Sequence, residues 1–249
     1  MTHPLFYSLD VSGAQLDDLV SLDETTSGHA IRSQRLQVDE PVLVSDGAGT
    51  LAQGRIHVAD PRHTTIRVTQ IAVQPQPNVR INLAQALAKA DRDLLAAEMA
   101  TELGVDAVTP WQAQRSIVRI RAERADKMSQ KWRSKLQAAA QQSRRSRIPE
   151  LRDPLVTTDI AALHDPAHGH YVVVLHEDGT SQIEEAIAEI SMPQTIHIVV
   201  GPEGGVAPEE LAAIEQAGGT AIKIGDNVLR SSTAGPAAIV LFNQLLQRW

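Results

Sequence analysis

The feature that most constrains this 249-residue chain is the stretch 195–234, which holds two strand-and-turn units with loops suited to a ligand. An apolar, β-branched run at residues 196–200 predicts a buried strand that ends in the glycine-rich loop 201–205, before a predicted helix. A second short strand, residues 221–224, ends in a polar turn that leads into an apolar C-terminal helix. Ligands of open α/β sheets bind at the carboxyl ends of strands, so we predict that both loops face one ligand.

The glycines of the first loop do not identify that ligand by themselves. Gly204 and Gly205 allow the backbone to approach a ligand closely or to adopt a positive φ. The N-terminus of the following helix would suit an anion. The chain has neither GxGxxG nor GxxxxGK[ST], so a dinucleotide or P-loop site would lack its phosphate-binding residues. A tight turn without a ligand is the alternative for this loop taken alone.

Taken together, the two loops resemble the signature of the RsmE-type methyltransferases of the SPOUT superfamily. They read GPEGG at 201–205, followed by an acidic helix start, and IGDNVLRSSTA at 224–234. Further matching segments follow the same order in the chain and family: QALAK at 85–89, ATELGV at 100–105, Pro110, Arg115 with Ser116, and QSRR at 142–145 with Ile148 and Pro149 behind it. The resemblance covers nearly the whole chain. It implies methylation of N3 of a uridine in small-subunit (16S) ribosomal RNA, with S-adenosylmethionine as the methyl donor and no role for DNA.

The implied fold is α/β, with an N-terminal PUA-like β-barrel followed by a SPOUT methyltransferase domain. Short strands with turn residues before position 73 agree with a small barrel, and alternating helices and strands afterwards predict a parallel sheet. General topology rules would make this sheet open and doubly wound. The resemblance instead implies a trefoil knot whose loops form the cofactor pocket. We place the domains at 1–73 and 74–249, with an extended linker near 71–78, where two prolines occur.

The resemblance assigns cofactor binding to three loops, which would hold the adenine and ribose mostly through backbone groups. The residues concerned are Leu175, His176, Glu177, Val200, Gly201, Pro202, Glu203, Gly204, Gly205, Ile224, Gly225, Asn227, Val228, Leu229 and Ser231. Glu177 has the alternative of being a loop carboxylate that faces solvent. Three loops from different strands are therefore expected to meet in one pocket.

Arg230 is the predicted catalytic residue. Uracil N3 is protonated at neutral pH, and its deprotonation places negative charge on the ring and on O2 and O4. An arginine on the loop after the last strand would stabilise that charge in the manner of an oxyanion hole; capping a helix or pairing with a carboxylate is the alternative. The family's LRxETA segment has a glutamate where this chain has Ser232. The general base is therefore unassigned among Glu203, Asp226, His176 and solvent.

Basic residues are concentrated in one segment of an acidic chain. The net charge is −7, yet residues 115–152 contain 12 Lys/Arg and 3 Asp/Glu, a local +9 that leaves −16 elsewhere. A local field of this kind suits RNA phosphates, although a solvated helix face is the simpler alternative. Trp132 could stack on a base or pack in a core. The RNA-binding residues predicted in this segment are Arg115, Arg119, Arg121, Arg124, Lys131, Arg133, Arg144 and Arg145. The resemblance implies two more in the PUA-like domain, His29 and Arg35, for which an ordinary polar surface position is the alternative.

Composition excludes several other classes of site. The chain has no cysteine, so it has no disulfide, thiol nucleophile or cysteine-ligated zinc. It also lacks the HExxH segment that would predict a metal site. No apolar run approaches the roughly 18 residues of a membrane span, and the first residues do not show a charged region followed by an apolar core. We therefore expect a cytoplasmic location without a membrane partner. The apolar C-terminal helix around 237–242 predicts a homodimer, with burial in the core as the alternative.

Two further functions stay open at this point. Another SPOUT activity, ribose 2′-O-methylation, would use the same cofactor pocket without discriminating uracil. A non-catalytic RNA-binding or ribosome-assembly protein is suggested mainly by Ser232. Nucleoside analysis distinguishes the first alternative, and cofactor affinity distinguishes the second.

Overall fold

The computed structural model of the protein describes residues 3–179, 181–188 and 190–249. The chain forms two compact units. The first contains the described residues up to Gln76 together with Ala140–Ile148, and the second contains Pro77–Ala139 and Pro149–Trp249. The domain boundary at residue 73 stays a prediction. The predicted domains are each one continuous stretch, whereas the first unit also includes the later segment Ala140–Ile148.

The first unit is built on a five-stranded sheet. Its elements are β1 (Leu5–Tyr7), β2 (Leu19–Ser21), α1 (Glu24–Gly28), β3 (Pro41–Ser45), β4 (Thr50–Val58) and β5 (Thr65–Val73). The strand order is β1-β3-β4-β5-β2, with β3, β4 and β5 antiparallel and β1 parallel to β3. Alternate residues of β4 are buried, as expected for a sheet with one face on a core. Ile56 of β4 and Ile66 of β5 belong to that core. The predicted PUA-like N-terminal part is confirmed as this curled sheet.

Strand β5 extends into the stretch that was expected to be a linker. Val73 pairs with Thr50, and Ala72 pairs with Leu51. Strand β5 stays paired with β4 through Val73, so the backbone keeps its ladder hydrogen bonds up to the prolines that follow. The extended connection is therefore shorter than 71–78.

The returning segment is fixed to the first unit by hydrogen bonds to the strand ends. The Tyr7 hydroxyl donates to the Arg145 carbonyl at 2.7 Å, and the buried Ser45 hydroxyl donates to the Ser146 carbonyl at 2.8 Å. The Arg147 guanidinium donates to the carbonyls of Ala48 and Gln74. Part of the basic segment is thus structural, since the Arg147 guanidinium binds backbone carbonyls.

The second unit is a parallel α/β sheet. Its strands are β6 (Arg80–Ala86), β7 (Ala107–Gln112), β8 (Glu150–Leu151), β9 (Leu155–Val156), β10 (His170–Leu175), β11 (Thr195–Val200) and β12 (Thr220–Ile222). Its helices are α2 (Arg92–Glu102), α3 (Ala125–Gln142, of which residues up to Ala139 belong to this unit), α4 (Thr157–Ala161), α5 (Ile183–Ala188), α6 (Pro208–Gln216) and α7 (Ser231–Leu245). The order β12-β10-β11-β6-β7-β8, with β9 also on β7, is parallel throughout and confirms the predicted sheet.

Burial in this sheet follows strand position. Every residue of the central β11 is buried, because helices cover the sheet: Val199 shares a buried cluster with Ile214 of α6, and α7 also packs on β11. Helix α7 packs on α2, β6 and β11, with Ile239 and Phe242 fully buried. Trp132 is only 2% exposed and packs in the core, so it is not a stacking surface for RNA. None of the helices in the described part of the chain combines the length and apolar character needed to cross a bilayer.

A chain of polar side chains crosses the buried sheet near the amino ends of its strands. The Thr109 hydroxyl donates to the side-chain oxygen of Asn82 at 3.0 Å, and the side-chain nitrogen of Asn82 lies 2.9 Å from His197 Nδ1. His197 Nε2 in turn lies 3.1 Å from His170 Nδ1. This pattern assigns an unprotonated Nδ1 to His197, because the Asn82 amide donates to it. Burial, reinforced by nearby Arg152, His170 and His164, lowers the pKa of His197 to about 3.

This histidine should make folding stability depend on pH. The unfolded chain binds a proton at His197 below the ordinary pKa of 6.5, and the folded chain binds it only below about 3. Its contribution is therefore complete above pH 6.5 and is lost as the pH falls, by at most about 1.4 kcal/mol per pH unit. Denaturant unfolding of wild type and His197→Gln at pH 7.5 and 5 measures the difference. An equal loss of stability in both proteins would contradict this role.

Candidate functional site

The predicted ligand site lies at the carboxyl ends of four neighbouring strands. The loops after β12, β10 and β11, together with the start of α2 beyond β6, line one pocket of about 540 Å³. That volume is within the usual range of about 300 to 1,000 Å³ for small-ligand sites. Parallel strands bring these loops together because their carboxyl ends share one edge of the sheet.

All fifteen residues assigned to the cofactor from the sequence line this pocket, and so do Arg230 and Arg115. Six other residues line the pocket without having been predicted to bind the cofactor: Arg92, Val206, Ile222, Lys223, Asp226 and Ala234. Their common signal is position, since each is close in sequence to the end of a strand or the start of the helix that follows. The structure thus brings distant segments of the chain into one site.

Buried hydrogen bonds hold the loop after β11 in place. The Gln85 amide donates to the Ser231 hydroxyl at 2.9 Å, and that hydroxyl donates to the Gly201 carbonyl at 2.8 Å. The Trp111 indole donates to the Val200 carbonyl at 2.9 Å. The hydroxyl proton of Ser231 is therefore already committed to the loop. Gln85 was predicted only as part of the matching segment 85–89 and not as a residue of the site, although a lone glutamine inside an apolar run was an available signal.

The two glycines of the loop have different functions. Gly205 has φ +73°, and a Cβ there would meet nothing nearer than the Arg115 guanidinium at 3.9 Å. A Cβ on Gly204 would instead lie 3.3 Å from the Cβ of Arg115, whose guanidinium donates to the Gly204 carbonyl at 3.0 Å. Gly204 therefore allows Arg115 to pack on the loop, and Gly205 is the position that needs the left-handed conformation.

The loops after β10 and β12 are tied to each other. The His176 amide donates to the Ile222 carbonyl at 3.0 Å, and the Lys223 amide donates to the Ser181 carbonyl at 3.2 Å. Leu175 and Ile222 line this side of the pocket, together with residues that contribute mainly backbone groups. Such a wall suits a planar, weakly polar ring, because the backbone offers hydrogen bonds and the aliphatic side chains offer contact area.

Arg230 is exposed at the position that caps the N-terminus of α7, and its side chain makes no capping hydrogen bond. A cation is electrostatically unfavourable at a helix N-terminus. Among the described residues no carboxylate lies within ion-pair distance of it. The structure therefore gives Arg230 neither of the two structural roles that were the alternative to catalysis.

The candidate bases are mostly engaged or remote. Ser232 is 5% exposed and does not line the pocket. Glu203 accepts a hydrogen bond from the Lys89 amide at 3.1 Å, and His176 Nδ1 accepts one from the Asp178 amide at 3.2 Å. Asp226 is exposed and lies 3.4 Å from Lys223. Glu203, His176 and Asp226 line the pocket, but each already has a hydrogen-bond or ion-pair partner, so the general base stays unassigned.

The predicted RNA-binding residues fall on both units. His29, Arg35 and Arg144 are exposed on the first unit, where Arg145 is half-buried. Arg115, Arg119, Arg121, Arg124, Lys131 and Arg133 are exposed on the second. Lys131 pairs with Asp91 at 2.6 Å, so part of its charge is already balanced. In the part of the chain that the structure describes, no cluster of three or more acidic or histidine side chains has the geometry of a metal site.

Comparison with known proteins identifies the family. Residues 74–243 match the model of the RNA methyltransferase domain. Over 253 aligned residues, the chain is 36% identical to the ribosomal RNA small subunit methyltransferase E of Mycobacterium bovis, covering 100% of this chain and 94% of the relative. The chain belongs to the RNA methyltransferase family.

Solved structures of similar proteins share the fold of this family member. A ribosomal RNA small subunit methyltransferase E from Neisseria gonorrhoeae, bound to S-adenosyl methionine, superposes with a TM-score of 0.85 at 23% identity, covering 98% of each chain. A putative methyltransferase from Legionella pneumophila, in complex with the same cofactor, gives 0.85 at 24% identity and 98% of each chain. The predicted PUA-like and SPOUT architecture is thereby confirmed.

Proposed function

We propose that this protein transfers a methyl group from S-adenosylmethionine to N3 of a uridine in small-subunit ribosomal RNA. The observation that carries the proposal is the convergence of three glycine-containing or polar loops on one pocket that Arg230 also lines, with no carboxylate partner for Arg230 among the described residues. The ribosomal RNA small subunit methyltransferase E of Mycobacterium bovis, 36% identical over the full chain, supports the choice of substrate.

The pocket fits this cofactor in size and lining. Its volume of about 540 Å³ accommodates a nucleoside with an amino-acid chain. Gly225 has φ +151° with nothing within 4 Å of a Cβ position, so the loop after β12 leaves open space. Leu175, Ile222 and Ile224 offer aliphatic contacts to an adenine ring, and neighbouring backbone groups offer hydrogen bonds.

The cofactor supplies an electrophilic methyl group, so the protein needs to position the substrate and stabilise charge. Arg230 would donate hydrogen bonds to uracil O2 or O4 as N3 loses its proton. A guanidinium can donate two hydrogen bonds in its plane to one of these oxygens and leave N3 open to the methyl group. Asp226, which is exposed beside the pocket, or bulk solvent would accept the proton. Gln85, Ser231 and Trp111 hold the loop after β11 in place during the transfer.

The nature and position of the product test this proposal. A methyl on N3 blocks Watson–Crick pairing, so small-subunit RNA from cells with the gene should show one reverse-transcription stop that is absent without it. Mass spectrometry of the nucleosides should find 3-methyluridine. A 2′-O-methylated product would contradict the assignment, as would a purified protein that does not bind S-adenosylmethionine in the presence of a chelator.

RNA binding through the basic segment should be strongly salt-dependent. Arg121 and Arg133 are exposed, so an Arg121→Ala/Arg133→Ala variant should lower the slope of log affinity against log salt by about 0.7 to 0.9 per lost phosphate contact. Lys131→Ala is the matched control: its pairing with Asp91 at 2.6 Å predicts a smaller change. Filter binding at several salt concentrations measures the slopes. Unchanged slopes in the double variant would move the RNA site to the first unit.

The protein is further proposed to act as a cytoplasmic homodimer. Exposed apolar side chains support self-association: Leu241 and Leu245 on α7, Trp249 beyond its end, and Val228 in the pocket lining. Surface of this kind favours a protein interface. Light scattering that finds a fully active monomer at micromolar concentration would rule out a required dimer.

A further inference from the structure

Arg92 and Glu203 form a pair of opposite charges at one side of the pocket. Arg92 Nη1 lies 3.9 Å from Glu203 Oε1, and their side chains are 41% and 30% exposed. A direct hydrogen bond between such groups needs about 2.7 to 3.2 Å. The two charges are therefore close neighbours that both keep hydrogen-bonding capacity towards the pocket that they line.

The backbone fixes where these two side chains stand. The Lys89 amide donates to Glu203 Oε1 at 3.1 Å, which orients the carboxylate and leaves Oε2 available. Ala90 and Asp91, directly before Arg92, have φ values of +53° and +56°. Two consecutive non-glycine residues in the left-handed region are unfavourable and persist only where the surroundings impose them.

Asp93 imposes this turn from the protein interior. It is 6% exposed, and its carboxylate accepts hydrogen bonds from the Leu94 amide at 2.8 Å and the Ala88 amide at 3.3 Å. Residues on both sides of the strained pair are thus held by one buried group. The start of α2 is a preformed support that presents the Arg92 guanidinium beside the loop after β11.

A neighbouring cation and anion match a zwitterion. Resting on the proposed function, we infer that Arg92 and Glu203 bind the α-amino-acid end of S-adenosylmethionine, with the guanidinium on its carboxylate and Glu203 on its ammonium group. Guanidinium and carboxylate form paired, charge-assisted hydrogen bonds. The ammonium group donates to a carboxylate oxygen in the same way. Both charges of the ligand then have a partner of opposite sign.

An RNA phosphate fits this pair less well. Glu203 beside Arg92 would repel a phosphate, whereas Arg115 and Arg230 line the same pocket without a carboxylate in ion-pair distance among the described residues. These two arginines, which have no carboxylate partner among the described residues, are better placed for RNA. The paired arginine is better placed for a ligand that carries both charges.

Two nucleosides separate this role from a general effect on the pocket. S-adenosylhomocysteine keeps the amino-acid end, and 5′-methylthioadenosine lacks it. By calorimetry, Arg92→Ala should weaken S-adenosylhomocysteine about tenfold or more and change 5′-methylthioadenosine less than about twofold. Glu203→Gln should show the same selectivity with a smaller loss, because an amide oxygen still accepts. Arg92→Lys should recover part of the affinity, since a point charge replaces a fork.

Arg62→Ala, an exposed arginine of the first unit, is the control and should leave both affinities unchanged. Equal losses for both nucleosides in Arg92→Ala would show that Arg92 only shapes the loop and would overturn the inference. Unchanged S-adenosylhomocysteine affinity with weakened RNA binding would assign Arg92 to phosphate and overturn it as well. A wild-type protein that binds neither nucleoside would instead overturn the proposed function.

Discussion

Replacing Arg230 with alanine should lower the rate of methyl transfer about 10²-fold or more, the usual loss when one donor to a developing oxyanion is removed. Cofactor affinity should change little, because the proposed contact is with uracil. The exposed position of Arg230 at the N-terminus of α7, where a cation is unfavourable, predicts that folding stability does not fall. Single-turnover kinetics and calorimetry with S-adenosylhomocysteine measure the two effects separately.

Arg230→Lys should recover only part of the lost rate, since a compact point charge replaces the oriented donors of a planar guanidinium. Ser232→Ala serves as the neighbouring control. Ser232 is 5% exposed and outside the pocket lining, so its removal should leave the rate of methyl transfer within a fewfold of wild type. Normal turnover by Arg230→Ala would mean that another group stabilises the uracil anion.

The largest effect on stability is expected at the end of the chain. Arg248 and Asp106 form an ion pair of 2.8 Å whose side chains are only 12% and 10% exposed. Asp106 also accepts a hydrogen bond from the Ile81 amide at 2.8 Å, so the pair connects the C-terminal residues to the start of β6. Arg248→Ala would leave a mostly buried carboxylate without its cation and should lower the free energy of unfolding by about 3 kcal/mol.

Arg80→Ala provides a matched control for this change. Arg80 and Glu150 lie 2.9 Å apart, but their side chains are 34% and 52% exposed. Water screens such a pair, so its loss should cost less than about 1 kcal/mol. Denaturant unfolding of both variants at neutral pH compares the two positions. Equal destabilisation would show that burial does not determine the contribution of these ion pairs.

The local pattern was sufficient for the central strand and its loop. Residues of β11 are all apolar or β-branched except one histidine, and the glycines behind them end the strand, so both features were readable without the fold. The positions of the three cofactor loops followed from the motif resemblance. The end of β6 was not readable, because Gln85 looks polar in sequence and becomes acceptable in the core only through its hydrogen bond to Ser231, which is 146 residues away.

The basic segment shows a second kind of limit. Its excess of positive charge is a property of sequence, but the use of each charge is not. Lys131 is paired with Asp91, Arg147 binds backbone carbonyls of the first unit, and Trp132 packs in the core. Each of these outcomes depends on a partner far along the chain, and nothing in the local spacing distinguishes them from Arg133, which stays exposed.

The secondary-structure classes, the order of barrel and parallel sheet, the family and the loops of the pocket followed from the sequence, because periodicity, turn residues and contiguous motifs act over a few residues. The fold was needed to place Ala140–Ile148 in the first unit and Arg92 beside Glu203. Both are pairings across a large sequence separation, and such pairings depend on which segments and strand ends the fold brings together.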